Sequence, residues 1–140
     1  MTLAERQEKA AKLHAEGANC AQAVALALYD TVEKEIGEKA LFCTAEGFGL
    51  GLGSMNGVCG ALSGAVLIAG LRLSGGSHTH PTKAETYRYT RLLEERFRER
   101  AGALDCHDLK GIGTGHVVCT CQDCISIAVE AACEILKIED

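Results

Sequence analysis

From Gly47 to Leu71 the chain carries no Asp, Glu, Lys or Arg, an uncharged run of 25 residues. A segment of that length has to be weighed against a membrane span. Glycines at 47, 49, 51, 53 and 57 spoil its first half as a helix. The continuous apolar part, Val58 to Leu71, has the length of a buried core helix and falls short of the ~20 residues a bilayer span takes. The run therefore predicts a central core helix preceded by a glycine-rich loop, with no membrane span.

The remaining segments read as helices of the same bundle. The chain has one Pro among 140 residues, at position 81, so long helices are not interrupted. Thr2 with Glu5, and Asn19 with Gln22, have the spacing of capping boxes that open helices. The first helix ends near Gly17, and the second is expected to run to about Ile36. A short helix is expected over 38–46. Thr82 with Glu85 marks another start, with Tyr89, Leu93 and Phe97 as the buried stripe of a helix reaching Arg100 or Ala101. Asp105 is read as the cap of a short turn. A last helix from about Thr120 to Lys137 buries Ile125, Val129, Ala132 and Leu136. No run alternates with period two. The expected fold is all-α, a compact helical bundle of about five main helices forming a single domain over 1–140.

Eight cysteines are the outlying number in this composition. They admit a disulfide framework, a metal or cluster site, or inert buried thiols. The first seventeen residues lack the basic-then-apolar pattern of a secretory signal. A cytoplasmic location is therefore expected, and reducing compartments disfavour structural disulfides. The net charge of −5 argues against nucleic-acid binding.

Position then separates the thiols. Cys20 follows Asn19, Cys59 sits at the start of the central helix, Cys106 follows Asp105, and Cys121 and Cys124 lie in the first turn of the last helix. A helix N-terminus offers unpaired N–H groups and a partial positive charge, which favour thiolate. Thiolates are metal ligands and nucleophiles, so these positions point to metal or redox chemistry. Cys121-Gln-Asp-Cys124 is a CxxC without the βαβ context of thioredoxins. It also lacks the following His of a haem attachment site, so no haem is expected. No second CxxC completes a zinc ribbon, but a four-cysteine site drawn from distant segments suits either zinc or iron–sulfur. Cys43 and Cys133 fall within helices and are expected in the core, while Cys119 is left open. His107 and His116 adjoin the cysteines in sequence and are candidate hydrogen-bond partners to ligand sulfurs. His14, His78 and His80 read as solvated residues. Gly60 and Gly64 leave one side of the central helix bare, which allows close packing of another backbone.

Taken together, Asn19-Cys20, Gly57-Val-Cys-Gly-Ala-Leu-Ser-Gly64, Cys106-His107 and Cys124 resemble the family of redox-active proteins named for its C, GCAxxG, C, C pattern. The central run reads CGAxxG here. The resemblance implies Cys20, Cys59, Cys106 and Cys124 as the redox-active set, with Gly57, Gly60 and Gly64 beside it. Cys119 and Cys121 fall outside that pattern and are candidates to supplement a ligand. It also implies kinship with the helical domain of split-Soret cytochromes, which carry an iron–sulfur centre. The expected function is electron transfer or redox sensing through an iron–sulfur cluster, exchanged with a redox partner protein. The alternatives are metal-free thiol–disulfide chemistry and a structural zinc module. No acid–base pair of a substrate-converting enzyme is legible, and the bare glycine face makes a homodimer an expectation.

Overall fold

The computed structural model describes residues 1–139, and it is helical with no strand among them. Seven α-helices appear rather than five: α1 (Leu3–Ala15), α2 (Cys20–Ala27), α3 (Glu38–Glu46), α4 (Gly60–Leu73), α5 (Lys83–Ala101), α6 (Cys106–Lys110) and α7 (Cys121–Ile135). The short helix expected over 38–46 is α3, and the turn expected after Asp105 is the five-residue α6. No helix among the described residues is long and apolar enough to cross a membrane.

Short-range hydrogen bonds set three helix starts as expected. Thr2 and Glu5 form a capping box on α1, and Asn19 and Gln22 form one on α2. Thr120 accepts from the Asp123 N–H at 3.1 Å to open α7. Two expected caps are not made. Thr82 is engaged by the Gly75 N–H instead, at 2.9 Å, and Glu85 turns to Arg88. Asp105 makes no side-chain cap; its backbone pairs with Val58 in an isolated antiparallel bridge.

Every residue of α2 after Cys20 is buried, so α2 forms the innermost helix, packed by α1, α3, α4 and α7. The apolar α4 flanks it and leaves Val66, Leu67 and Leu71 half-buried on its outer side. Phe97 and Leu93 from α5, Ile68 from α4, and Ile125 and Val129 from α7 close the core.

α2 also ends nine residues earlier than the sequence pattern predicts. The guanidinium of Arg6, buried on α1, donates to the Ala27 carbonyl at 3.1 Å and grips Asp30 at 2.5 and 3.0 Å. The Thr31 hydroxyl donates to the Leu28 carbonyl at 2.8 Å. Carbonyls that a continuing helix would need are thereby occupied, and the chain turns.

The same grip makes an acid-sensitive joint. Arg6 holds the Asp30 carboxyl below its usual range, chiefly through their hydrogen bond. A depressed folded-state value means stability that is complete above the unfolded pKa of about 3.9 and lost as pH falls through the folded value. Asp30 is 44% exposed, so the effect is small. Asp30→Asn should therefore flatten the acid limb of urea-denaturation midpoints measured between about pH 7 and pH 3; an unchanged limb would place the acid sensitivity elsewhere.

Candidate functional site

Four helix starts meet around one cavity. Cys20 opens α2, Cys59 is the residue before α4, Cys106 opens α6, and Cys121 and Cys124 lie in the first turn of α7. Three local devices bring them together. The Asn19 amide that caps α2 also donates to the Glu46 carbonyl at 2.8 Å, tying this start to the end of α3. The Val58–Asp105 bridge, with Cys59 N–H to Leu104 carbonyl at 2.8 Å and Cys106 N–H to Gly57 carbonyl at 3.0 Å, sets Cys59 beside Cys106. The Leu109 carbonyl accepts the N–H groups of Val118 and Cys119 at 3.0 and 3.2 Å, fixing the entry to α7 against the end of α6.

The cavity has a volume of about 160 Å³ and is lined by six cysteines: 20, 59, 106, 119, 121 and 124. Cys59, Cys106 and Cys124 are buried, while Cys20, Cys119 and Cys121 are partly so. Among the described residues no three His, Cys, Asp or Glu side chains converge on a point that could hold a single metal ion. Three of the sulfurs touch: the Cys124 thiol shares hydrogen bonds with the thiols of Cys59 and Cys119.

Gly60 and Gly64 serve this arrangement from inside. A Cβ on Gly60 would lie 2.5 Å from the Cys20 sulfur and 2.8 Å from the Phe48 carbonyl. One on Gly64 would lie 2.6 Å from the Ala21 carbonyl. The bare face of α4 is thus filled by α2 and the Phe48–Gly49 backbone of the same chain. Gly57 contributes through its carbonyl, which holds Cys106.

The glycine-rich loop supplies a wall and a donor. Leu50, Leu52 and Met55 adopt left-handed backbone at φ 54, 62 and 66, conformations that cost a non-glycine residue about 1–3 kcal/mol each. The turn aims the Leu50 N–H at the Cys20 sulfur and places Leu50 on the cavity wall, 45% exposed at its outer edge. Such strain accumulates at functional sites, where the surroundings over-determine it.

Electrostatics differ from what helix starts alone imply. Only Cys59 is shifted toward thiolate, to about 7. Its first cause is the Cys124 thiol, followed by the Ala61 and Leu62 N–H groups and the Lys110 charge, against burial. Cys124 is pushed up in turn because its proton is engaged by Cys59. At Cys20, Cys106 and Cys119 burial wins and raises the thiol pKa. Desolvation of a charge in these walls outweighs half a unit of helix dipole. A bound cation reverses that balance and deprotonates coordinating thiols.

The structure also relocates several candidates. His107 pairs with Asp108 at 3.5 Å, and His116 is exposed in the loop before Val117; neither lines the cavity. Cys43 is exposed on α3 rather than in the core, whereas Cys133 packs partly buried against it. His14, read as solvated, stands at the cavity. Lys110 was missed: its ammonium faces Cys121 within the cavity. Its place four residues after Cys106, on the same helix face, was the available signal.

A family model described as "Putative redox-active protein (C_GCAxxG_C_C)" matches residues 18–135. No curated protein and no solved structure matches the chain.

Proposed function

The chain belongs to the C_GCAxxG_C_C family of redox-active proteins, and from that premise we propose that it carries electrons through an iron–sulfur cluster held by Cys20, Cys59, Cys106 and Cys124. The observation that supports this most is six sulfurs lining one cavity of about 160 Å³. Cysteines brought from four helix starts to one cavity suit the four-thiolate ligation of a cluster. A bound cluster would supply one-electron chemistry at a potential set by its environment.

The chain's own groups tune that environment. Backbone N–H groups of Leu50, Ala61 and Leu62 face ligand sulfurs and stabilise their negative charge. Lys110 adds the positive charge nearest the cavity. Leu109 and Leu50 add apolar surface to the cavity lining. Because Leu50 spans the wall from cavity to solvent, a redox partner protein would exchange electrons across that edge.

Anaerobic purification tests the proposal. Expected are a brown protein with broad absorbance near 400 nm, iron and acid-labile sulfide in equal amounts, and a paramagnetic signal in one oxidation state. Stoichiometric zinc without iron, or colourless protein with reactive dithiols and no metal after anaerobic reconstitution, overturns it.

A further inference from the structure

The glycines of α4 have different reasons to be bare. An added Cβ would strike the Cys20 sulfur at Gly60 and the Ala21 carbonyl at Gly64, but at Gly70 it would meet nothing within 4 Å. Glycine inside a helix is destabilising relative to alanine, and no neighbour requires it at this position. Gly70 instead lines another cavity, of about 620 Å³, between the outer side of α4 and α5. That volume lies within the range of small-molecule sites, roughly 300–1,000 Å³. Taking the iron–sulfur reading as its basis, we propose that this cavity binds a neutral quinone ring, which accepts electrons from the cluster.

The lining selects the ligand class. Phe48, Val58, Leu62, Val66 and Leu67 give apolar walls. Among the described residues no Lys, Arg or His lines the cavity, and its charged group, Glu94, is engaged by Arg98 at 3.2 Å. A fatty acid or a nucleotide would bring an anion without a countercharge. Two of the hydroxyls on the wall are in use: Thr90 donates to the Thr86 carbonyl at 2.9 Å, and Ser74 accepts the Gly76 N–H at 3.1 Å. The half-buried Ser63 hydroxyl makes no hydrogen bond among the described residues, so it can donate to a ring carbonyl. The position supplies the redox link. Val58 directly precedes Cys59, and Leu62, whose N–H faces the Cys59 sulfur, puts its side chain in the cavity wall. Two reduced clusters each give up one electron, and two protons come from solvent; both quinone carbonyls become hydroxyls and a hydroquinone leaves. The redox partner protein then reduces the clusters again.

The probe is duroquinone, whose methylated ring carbons block addition of thiols, with durene as the same ring lacking carbonyls and decanoate as an apolar anion. In equilibrium dialysis of protein with and without its cluster, one duroquinone should bind per chain, more tightly than decanoate. Gly70→Leu fills the cavity without a clash, so its thermal midpoint should match or exceed wild type while duroquinone binds about tenfold more weakly. Ser63→Ala should weaken duroquinone about fivefold and leave durene unchanged. Anaerobically reduced, loaded protein should be oxidised at two chains per duroquinone. Gly70→Leu should slow this about tenfold but leave oxidation by ferricyanide unchanged. Faster oxidation by quinone in phosphatidylcholine vesicles than in buffer would assign the site to a membrane pool, and the reverse to a soluble one. Absence of saturable binding, decanoate held as tightly as duroquinone, or binding indifferent to Gly70→Leu overturns the proposal while the iron–sulfur reading stands. So does a dimer that Gly70→Leu dissociates, since a second copy would then cover the cavity, or a loaded protein that binds duroquinone without reducing it. Wild-type protein without iron overturns the cluster reading and the electron transfer together, whatever dialysis shows.

Discussion

Replacing Cys59 with serine is expected to strip iron and colour from the protein while leaving its fold intact. Cys59 stands in the N-cap position of α4, and its backbone N–H is bound to the Leu104 carbonyl at 2.8 Å, a contact the substitution does not touch. Serine is among the preferred residues at such a cap. The Ala61 and Leu62 N–H groups already face this side chain. Measured against the wild-type apoprotein, the thermal midpoint should hold or rise slightly. What is lost is the sulfur itself, the one whose thiolate form the site favours most, since its pKa falls to about 7. Iron content should drop by at least tenfold, read by metal analysis and visible absorbance. Circular-dichroism melts serve as the control. Cys133→Ser, packed on the core away from the cavity, should keep its colour. Retention of iron in Cys59→Ser, or its loss in Cys133→Ser, would refute the ligand assignment.

The largest loss of stability is expected from Gly64→Leu. A Cβ at this position would already sit 2.6 Å from the Ala21 carbonyl, a backbone atom of the innermost helix that no rotamer change can move aside, and 3.1 Å from the Val24 Cβ. Two effects oppose each other. Leucine is the better helix former by roughly 1 kcal/mol, while overpacking a close contact costs typically 1–3 kcal/mol and occasionally more. With backbone as the obstacle the cost sits at the upper end or beyond. The net expectation is a loss of ~2 kcal/mol and a fall of ~8 °C in the thermal midpoint. Because α2 carries Cys20 and α4 follows Cys59, wedging these helices apart should also weaken cluster retention. A midpoint at or above the wild-type value would mean that α2 and α4 do not approach as described.

The legible parts of the fold share a physical character. Thr2 with Glu5 and Asn19 with Gln22 form their capping boxes because such bonds join groups three residues apart, and nothing distant can easily replace them. The buried stripes of α5 and α7 followed from period alone, as Leu93, Phe97, Ile125 and Val129 confirm. Where a distant group competes for the same atoms, local reading fails. Arg6 ends α2 from another helix, and Gly75 draws Thr82 away from its cap. The presence of Lys110 at the cavity was hidden because α6 is a single short turn with little pattern of its own.

By itself, then, the sequence determined that the chain is an α-helical bundle and that its cysteines cluster at helix starts. Both follow from hydrogen bonds and apolar periodicity within a few residues. Only the tertiary structure decided that those starts face one another, that Cys119 and Cys121 join them, and that His107 and His116 do not. It also decided which thiol ionises. Burial outweighs the helix dipole at Cys20, Cys106 and Cys119, and only at Cys59 do a neighbouring thiol and two N–H groups reverse it. Desolvation is a property of the completed wall around a group, and no stretch of sequence carries that wall by itself.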